Sequence, residues 1–393
     1  MSHLRLRASY GVNGNVNSLG QYQYNKTLGI GLGNTATGNS SGNNPGGGYD
    51  WGSGQKLGVY PSTRLANPSI KWETTRQLNV GFDARFLRDR LTLGVEAYNK
   101  NTFDLLTSNT APASTGSSTV YVNAGTVNNK GIDIELGWRD RIGDFSYSFN
   151  GNIAFLKNKV TKGITKERVE GSGLMYADIV TFFEEGYPIW YLRTYIMEGI
   201  DPATGDAIYT DVDGNGVLNA DDHLYAGKGI PDYTYGLTLN LAYKNFDLTV
   251  YGSGVQGVQK MFALGRGDNQ WSNTLYEYYK NMWTPTNTTN AKYPRPNQND
   301  IPYRSSSALV FDASFFKIKQ VQIGYNVPAS ITKKVNISRL RAYVSLDDWF
   351  TFTKYPGLDP ETNSGASTMS QLPLDYGNYP ISKKVVLGIN VSF

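Results

Sequence analysis

One segment, DVDGNGVLNADD at positions 211–222, has the residue types and spacing of a calcium-binding loop. Oxygen-bearing side chains on alternate residues can surround one hard cation, and a glycine at position 6, here Gly216, allows the sharp turn such loops need. The predicted ligands are Asp211, Asp213, Asn215, the backbone carbonyl of Val217, Asn219 and Asp222. We therefore predict a structural calcium ion as the cofactor of this segment.

The loop departs from the usual pattern at its last position, where Asp222 replaces a bidentate glutamate. The shorter carboxylate predicts weaker binding, which suits an extracellular setting where sites work at about 10⁻⁴–10⁻³ M calcium. No flanking helices of the EF-hand kind are evident in the sequence. The alternative is a polar turn whose side chains bond only to the backbone, without an ion.

Residues that could perform covalent catalysis are scarce. The chain has no cysteine and only two histidines, His3 and His223, so neither a thiolate site nor a histidine metal site is expected. His223 adjoins the calcium-type loop, and we interpret it as a solvated loop residue rather than a catalytic base. Glycine-rich stretches at 29–34 and 42–48 lack the lysine and the strand–helix context of a phosphate-binding loop. The sequence predicts that the protein is not an enzyme.

Two aromatic-rich loop stretches, 182–195 and 268–283, could contact a substrate. Aromatic faces stack on sugar rings or on peptide side chains. The candidate binding residues are Trp190, Tyr191, Trp271 and Tyr276. The second stretch also has the pattern of a short helix. The alternative is that these rings pack the loops together or against a partner.

The overall composition limits which elements could position these residues. The charges are nearly balanced, with 37 basic and 33 acidic residues and no long basic block, which argues against nucleic acid as a partner. No window of about 18 apolar residues occurs, so no transmembrane helix is expected. Membrane-spanning β-strands stay compatible with this composition, because their alternating residues give only a weak hydropathy signal.

Strand-like alternation of apolar and polar residues recurs along the whole chain. In QLNVGFDARFL, for example, Leu78, Val80 and Phe82 alternate with Asn79 and Gly81. We predict ten strands at 3–12, 70–86, 91–107, 127–138, 145–157, 232–243, 246–257, 310–327, 339–352 and 381–393. Within 310–327 the apolar residues change parity, which predicts either a bulge or a strand that rises out of the bilayer.

The connections between these strands alternate between short and long. Short ones lie at 87–90, 139–144, 244–245 and 328–338, and the longest of the others is 158–231. Short turns at one end and long loops at the other are typical of outer-membrane barrels, whose turns are periplasmic and whose loops are extracellular. We therefore expect 158–231, with its calcium-type loop, to lie outside the membrane rather than to add two strands.

The two faces of the predicted strands differ in the way that a barrel requires. One face is apolar along most strands, and the other carries the charged residues Asp83, Arg85, Glu96, Asp133, Glu135 and Arg341. Charges are costly in a dry core but not in a wet lumen. Aromatic residues near the short turns predict an interfacial girdle. A soluble β-sandwich or propeller is the alternative fold.

Several ordered motifs give the chain a family resemblance. The stretches LRLRASYGVNGN, NPSIKWETTRQLNVGFDARFLRDRLTLGVEAYNKNTFDLL, VNAGTVNNKGIDIELGW and GIPDYTYGLTLNLAYKNFDLTVYGSG follow one another in this order. They resemble the C-terminal half of SusC-like TonB-dependent transporters from the outer membrane of Bacteroidetes-type bacteria. The resemblance implies an all-β fold, in which residues 1–393 supply about ten antiparallel strands of a transmembrane barrel of roughly 22 strands.

The same resemblance implies a function and a set of partners. The function would be TonB-dependent import of an oligosaccharide or a peptide across the outer membrane. The implied partners are a SusD-like surface lipoprotein, TonB acting through an N-terminal part, the plug and remaining strands, which this chain is expected to lack, and membrane lipid. The alternatives are a secreted, calcium-stabilised β-protein that binds or hydrolyses glycans, and a passive porin.

Overall fold

Ten long antiparallel strands form one continuous sheet that runs through the computed structural model. The structure describes residues 1–16, 23–25, 28–33, 49–50, 56–61, 64–115, 117, 119–166, 168–174, 177–263, 275–297, 300, 302–362 and 369–393. The strands are β1 (His3–Asn15), β2 (Glu73–Phe86), β3 (Leu91–Phe103), β4 (Thr126–Ile142), β5 (Phe145–Lys162), β6 (Tyr233–Tyr243), β7 (Phe246–Gln256), β8 (Phe315–Asn326), β9 (Arg339–Thr353) and β10 (Lys384–Ser392). Each strand pairs with its neighbours in chain order, which confirms the predicted ten-stranded antiparallel architecture and excludes the sandwich and the propeller.

Short and long connections alternate, as predicted. The short ones bend through backbone with positive φ, including Leu87, Arg88 and Asp89 after β2 and Lys244 after β6. The connection between β5 and β6 adds no strand to the large sheet within its described residues. All five long connections therefore leave the sheet at the same end, because each short turn returns the chain to that end.

Some strand bounds differ from the prediction. β4 and β5 run to Ile142 and Lys162, so the predicted turn at 139–144 shrinks to two residues and the predicted loop at 158–231 begins later. Backbone pairing of these strands continues past the apolar segment, and Asn158 Nδ2 donates to Asn129 Oδ1 over 2.7 Å. The apolar alternation extends only as far as the strand contacts lipid. The strand itself extends as far as its backbone stays paired with its neighbours.

A bulge in β8 accounts for its change of parity. Its register with β9 shifts between Ile318 and Gln320, and its register with β7 shifts at the same level. Relative to β7, Lys319 is the additional residue of β8. On the other side, Asp348 and Trp349 of β9 face this single residue, and Asp348 takes a φ of +60°. The bulge keeps Phe316 and Ile323 on the same face of the sheet despite their odd separation, as the sequence predicted.

Each face of the sheet has its own chemistry. Leu6, Val80, Leu387 and Ile389 lie on one face and are largely exposed, which suits contact with lipid. The rings of Phe246 and Tyr325 lie 4.8 Å apart on this face beside short turns, as expected for an interfacial girdle. The opposite face is polar and, as the contacts below show, receives parts of the long connections; we call it the luminal face.

Smaller elements occupy the long connections, and two short helical segments lie in the connection between β8 and β9. Their strands are Leu28–Gly33, Tyr49–Asp50, Lys56–Pro61, Arg64–Leu65, Leu106–Thr110, Thr119–Asn123, Val169–Glu170, Thr181–Phe183, Tyr191–Thr194, Met197–Ile200, Ala207–Tyr209, Leu224–Gly227, Gln259–Phe262, Val310–Asp312 and Leu374–Asp375. The helical segments are Ala113–Thr115, Ala220–Asp222, Tyr276–Asn281, Pro302–Ser305, Ser307–Leu309, Ala329–Thr332, Lys333–Val335 and Met369–Gln371. Among the described residues, no helix is long and apolar enough to cross a membrane.

The main apolar core lies among these connections rather than between layers of the large sheet. Leu192, Met261, Leu309 and Leu374 are buried together and come from four different parts of the chain. The connections that begin after β5, β7 and β9 therefore form one packed body at the long-loop end.

Candidate functional site: the calcium-type loop and the luminal face

The calcium-type loop follows the strand Ala207–Tyr209 and ends in the 3-10 turn Ala220–Asp222. Gly214 and Gly216 adopt φ values of +70° and +77°, which glycine tolerates without strain. Their N–H groups donate to the Asp211 carboxylate over 2.8 and 2.7 Å. Two glycines therefore wrap the backbone around the first predicted ligand.

The last predicted ligand, Asp222, is buried and closes the loop. Its carboxylate accepts the N–H of Asn219 over 2.9 Å and the N–H of Val212 over 2.8 Å. These hydrogen bonds stabilise the charged form and hold the pKa of the Asp222 carboxyl below its usual range. A carboxylate that stays ionised in this position can serve as a cation ligand.

Three of the predicted ligands converge in space. Asp211, Asp213 and Asp222 each place a carboxylate oxygen within 4.8 Å of the others, so their donor set fits one hard cation. Asn215 Oδ1 and Asn219 Oδ1 accept nearby backbone N–H groups over 2.7 and 2.8 Å. Whether these amides and the Val217 carbonyl join the same ion stays a prediction.

His223 differs from its interpretation as a solvated residue, because its ring is fully buried. The next residues pair with Tyr191–Thr194 and carry the histidine inward, where its ring meets Tyr195 edge-on at a centroid distance of 4.2 Å. Burial lowers the pKa of His223 to about 4 and keeps the ring neutral near pH 7. Only long-range pairing, which a single sequence does not reveal, places it there.

The three substrate candidates that the structure describes differ in their surroundings. Tyr191 is fully buried, with its hydroxyl donating to Glu184. Trp190 is partly buried against Phe183, at a ring distance of 5.7 Å. Tyr276 is exposed on the helix Tyr276–Asn281, which confirms a short helix in this stretch. Trp271 lies outside the described residues.

Tyr191 belongs to a stack of three nearly parallel rings. Its centroid lies 4.4 Å from that of Tyr187 and 5.7 Å from that of Tyr225, and both of these neighbours are exposed. If this region contacts a ligand, the exposed pair offers the accessible faces and Tyr191 supports them from within. Tyr187 lies in the turn before the strand Tyr191–Thr194, and Tyr225 lies in the strand Leu224–Gly227. Their separation along the chain explains why local sequence inspection did not single out this pair.

The luminal face carries paired charges, as the prediction of a wet lumen requires. Arg7 of β1 lies 3.1 Å from Asp83 and 3.5 Å from Glu96. On the same face, toward the β10 edge of the sheet, Arg341 of β9 pairs with Asp247 of β7 and donates to Gln322. These contacts join strands that are one or two positions apart in the sheet, on the face opposite the apolar residues.

Part of the connection between β9 and β10 is fixed to the luminal face by buried charges. Lys317 of β8 is only 2% exposed and contacts Asp359 at 3.1 Å and Glu361 at 3.0 Å. Lys260 donates to the carbonyls of Pro360 and Thr362. A lysine within an apolar strand was the one local signal for this cluster, and its partners lie more than 40 residues away along the chain.

Comparisons with known proteins agree with this architecture. The family model described as "TonB dependent receptor-like, beta-barrel" matches residues 2–344. The chain is 32% identical to TonB-dependent receptor P3 of Formosa agariphila, over 84% of this chain and 35% of that protein. It is 25% identical to TonB-dependent receptor SusC of Bacteroides thetaiotaomicron, over 83% of this chain and 32% of that protein.

The structure of the RagAB peptide transporter superposes with a TM-score of 0.78 at 25% identity, covering 99% of this chain and 41% of that chain. The chain thus spans well under half the length of these relatives. The outer-membrane barrel fold excludes the alternative of a secreted β-protein. The chain is part of an outer-membrane β-barrel and belongs to the TonB-dependent receptor family, in its SusC- and RagA-like branch.

Proposed function

We propose that the complete protein containing this chain imports a nutrient across the outer membrane by TonB-dependent transport, and that the nutrient is an oligosaccharide or a peptide. The observation that carries the proposal is the ten-stranded sheet, which has a lipid-facing side and a charged luminal side and matches receptors of this family. No covalent chemistry is required of any residue.

Within such a transporter this chain supplies wall and loops. The luminal faces of β1–β10 line the path of the solute, and the packed long connections form the extracellular entrance. A SusD-like lipoprotein would cover that entrance, and TonB would act through an N-terminal part. The similarity to SusC and to the structure of the RagAB peptide transporter supports this assignment.

Uptake by whole cells tests the proposal. Strains carrying the intact gene, its deletion, a deletion of TonB, or a deletion of a neighbouring SusD-like gene are compared for growth on single oligosaccharide and peptide mixtures. We expect growth on one mixture to require the gene and TonB together. Equal uptake with and without TonB would contradict the mechanism and would favour the passive porin.

The calcium-type loop is proposed to hold a structural calcium ion on the extracellular side. The converging carboxylates of Asp211, Asp213 and Asp222 support this proposal. Bound calcium would neutralise their mutual repulsion and so stabilise the loop from which the strand Leu224–Gly227 continues.

Calorimetric titration of the complete protein with calcium tests this second proposal. We expect one site with a dissociation constant of about 10⁻⁴–10⁻³ M. The change Asp213→Asn should abolish it, because it removes one carboxylate from the centre of the cluster. The matched control is Asp221→Asn, because Asp221 is exposed and lies outside the cluster. Identical titrations for the two variants would mean that the loop is a polar turn without an ion.

A further inference from the structure

The luminal faces of β5, β6 and β7 carry an uninterrupted group of neutral hydrogen-bonding side chains. In register, Asn150 lies beside Thr238, which lies beside Tyr251. One level nearer the long-loop end, Asn152 and Ser253 flank Gly236 in the same way. We call Asn150, Asn152, Thr238, Thr249, Tyr251 and Ser253 the neutral panel.

Charges border the neutral panel without entering it. Glu135 of β4 is opposite Asn152, and Lys317 of β8 is opposite Ser253. Lys317 is already neutralised by Asp359 and Glu361. The panel itself therefore offers donors and acceptors but no net charge.

Two depressions in the wall meet at the neutral panel. One has a volume of about 420 Å³ and is bordered by Ser253, Lys260, Pro360 and Glu361, which places it toward the long-loop end. The other, of about 270 Å³, extends toward Thr92 and Glu135. Both include Asn152, Gly236 and Tyr251, so they form one continuous groove.

The shape of the groove depends on one glycine and one tyrosine. At Gly236 a Cβ would lie 2.7 Å from Asn152 Oδ1, so the absence of a side chain lets the amide lie flat and deepens the wall. Tyr251 is 40% exposed and presents an aromatic surface between the two depressions. Such a surface complements a ring that has hydroxyl groups at its edge and C–H groups on its face. The amides can form hydrogen bonds with the hydroxyl groups, and the aromatic face can stack against the C–H groups.

We propose that the neutral panel is a solute-binding track that contacts an uncharged, hydroxyl-rich ligand, a saccharide, during its passage along the wall. Amide and hydroxyl groups can replace the water lost by sugar hydroxyls. The charged termini of a peptide would lose water there and would meet charges only at the border of the groove, where Lys260 and Glu361 are already bonded to other groups. The proposal rests on the proposed transport function and selects one of its two substrate classes.

Saturation-transfer difference NMR on the complete, detergent-solubilised protein tests this track. The probes are maltohexaose and tetraalanine, which are measured separately at equal concentration. We expect saturation of maltohexaose to exceed that of tetraalanine. Removing the ring with Tyr251→Ala should weaken maltohexaose binding about fivefold, because the stacking surface is lost.

Two matched controls separate the track from general damage to the barrel. Tyr343→Ala removes a luminal tyrosine outside the panel, and Gln322→Glu adds a luminal carboxylate outside it. The corresponding panel variants are Tyr251→Ala and Asn152→Asp, and only these should reduce the maltohexaose signal. Heat-modifiable mobility on semi-native gels confirms that each variant has a folded barrel before it is measured.

The possible outcomes decide the question. Equal maltohexaose signals in Tyr251→Ala and Tyr343→Ala would overturn the track, and so would stronger saturation of tetraalanine than of maltohexaose. Absence of maltohexaose saturation in the unchanged protein would overturn it as well. Growth that does not need TonB would instead contradict the import mechanism and leave the saccharide contact standing.

Discussion

Luminal glycines leave room for larger side chains to lie along the wall. A Cβ at Gly388 of β10 would lie 2.2 Å from the ring of Tyr343, and one at Gly324 of β8 would lie 2.4 Å from the Arg341 guanidinium. Because the Tyr343 ring and the Arg341 guanidinium lie over these glycines, they extend along the wall rather than into the lumen. The glycines are therefore part of the packing rather than breaks in the strands.

The change Gly388→Ala should destabilise the barrel. A methyl group would force the Tyr343 ring off the wall, and overpacking of this kind lowers the free energy of unfolding by about 1–3 kcal/mol. The matched control is Gly11→Ala on β1, where nothing lies within 4 Å of the added carbon. Urea unfolding of the complete protein, followed by tryptophan fluorescence, measures both variants. Equal midpoints would show that Tyr343 relaxes without loss.

At the residue scale, local chemistry could be predicted but long-range partners could not. The calcium-type loop was visible because its carboxylates are close in sequence. The stack of Tyr187, Tyr191 and Tyr225 and the pairing of Lys317 with Asp359 depend on residues brought together by the fold. Their side chains carry no spacing signal, so a single sequence contains no information that would join them.

The alternating faces of a strand give a prediction at the scale of the element. Single cysteines placed along β2 should react with a membrane-impermeant thiol reagent at Asn79 and Gly81 more readily than at Val80 and Phe82. The odd positions face the lumen in register with Arg7 and Ser9 of β1, while the even ones face lipid. If position 80 is labelled in preference to position 81 in the complete protein, the assignment of the luminal and lipid faces is wrong.

The bulge of β8 gives a second prediction at this scale. Deleting Lys319 removes the residue that β8 has in excess over β7, so the alternation becomes regular, Phe316 stays on the lipid face and Lys317 stays on the luminal face. The deletion should therefore keep the heat-modifiable folded band of the complete protein. Lys319→Ala loses the ion pair with Glu361 but keeps the residue count, so its folded band should also persist. Loss of the folded band in the deletion variant alone would show that β8 needs the bulge to pair with β9.

The alternation of apolar and polar residues predicted which strands exist and their order, but it did not predict where each strand begins and ends. Ten strands could be predicted because lipid on one side and water on the other impose a period of two. The ends of β5 at Lys162 and of β8 at Phe315 escaped prediction, since polar residues continue a paired strand beyond lipid and apolar residues can leave it for a loop. Val310–Asp312, predicted as part of β8, pairs instead with Gln259–Phe262.

For the whole molecule, the buried charges near Lys317 join a long connection to the barrel wall. Asp359 also accepts the N–H groups of Glu361 and Ile381, so one carboxylate holds both the segment at 359–361 and the approach to β10. The packed loop body is thus tied to the sheet by charge as well as by apolar contact.

Replacing Lys317 with methionine should release this connection. The change leaves Asp359 buried without its counter-ion, which typically costs about 3–5 kcal/mol. Hydrogen exchange of peptides covering 355–362 should accelerate in Lys317→Met and stay unchanged in the control Lys354→Met, because Lys354 is exposed. Unaltered exchange in both variants would mean that apolar packing alone retains the segment.

The placement of every long connection at one end of the sheet has a consequence for biogenesis. Segments such as the calcium-type loop carry carboxylates and side-chain amides that hydrocarbon cannot satisfy. If the strands enter the bilayer from the periplasm, these segments must cross it before they can fold. Insertion therefore needs a hydrated passage through the membrane, and the loop body assembles only after translocation.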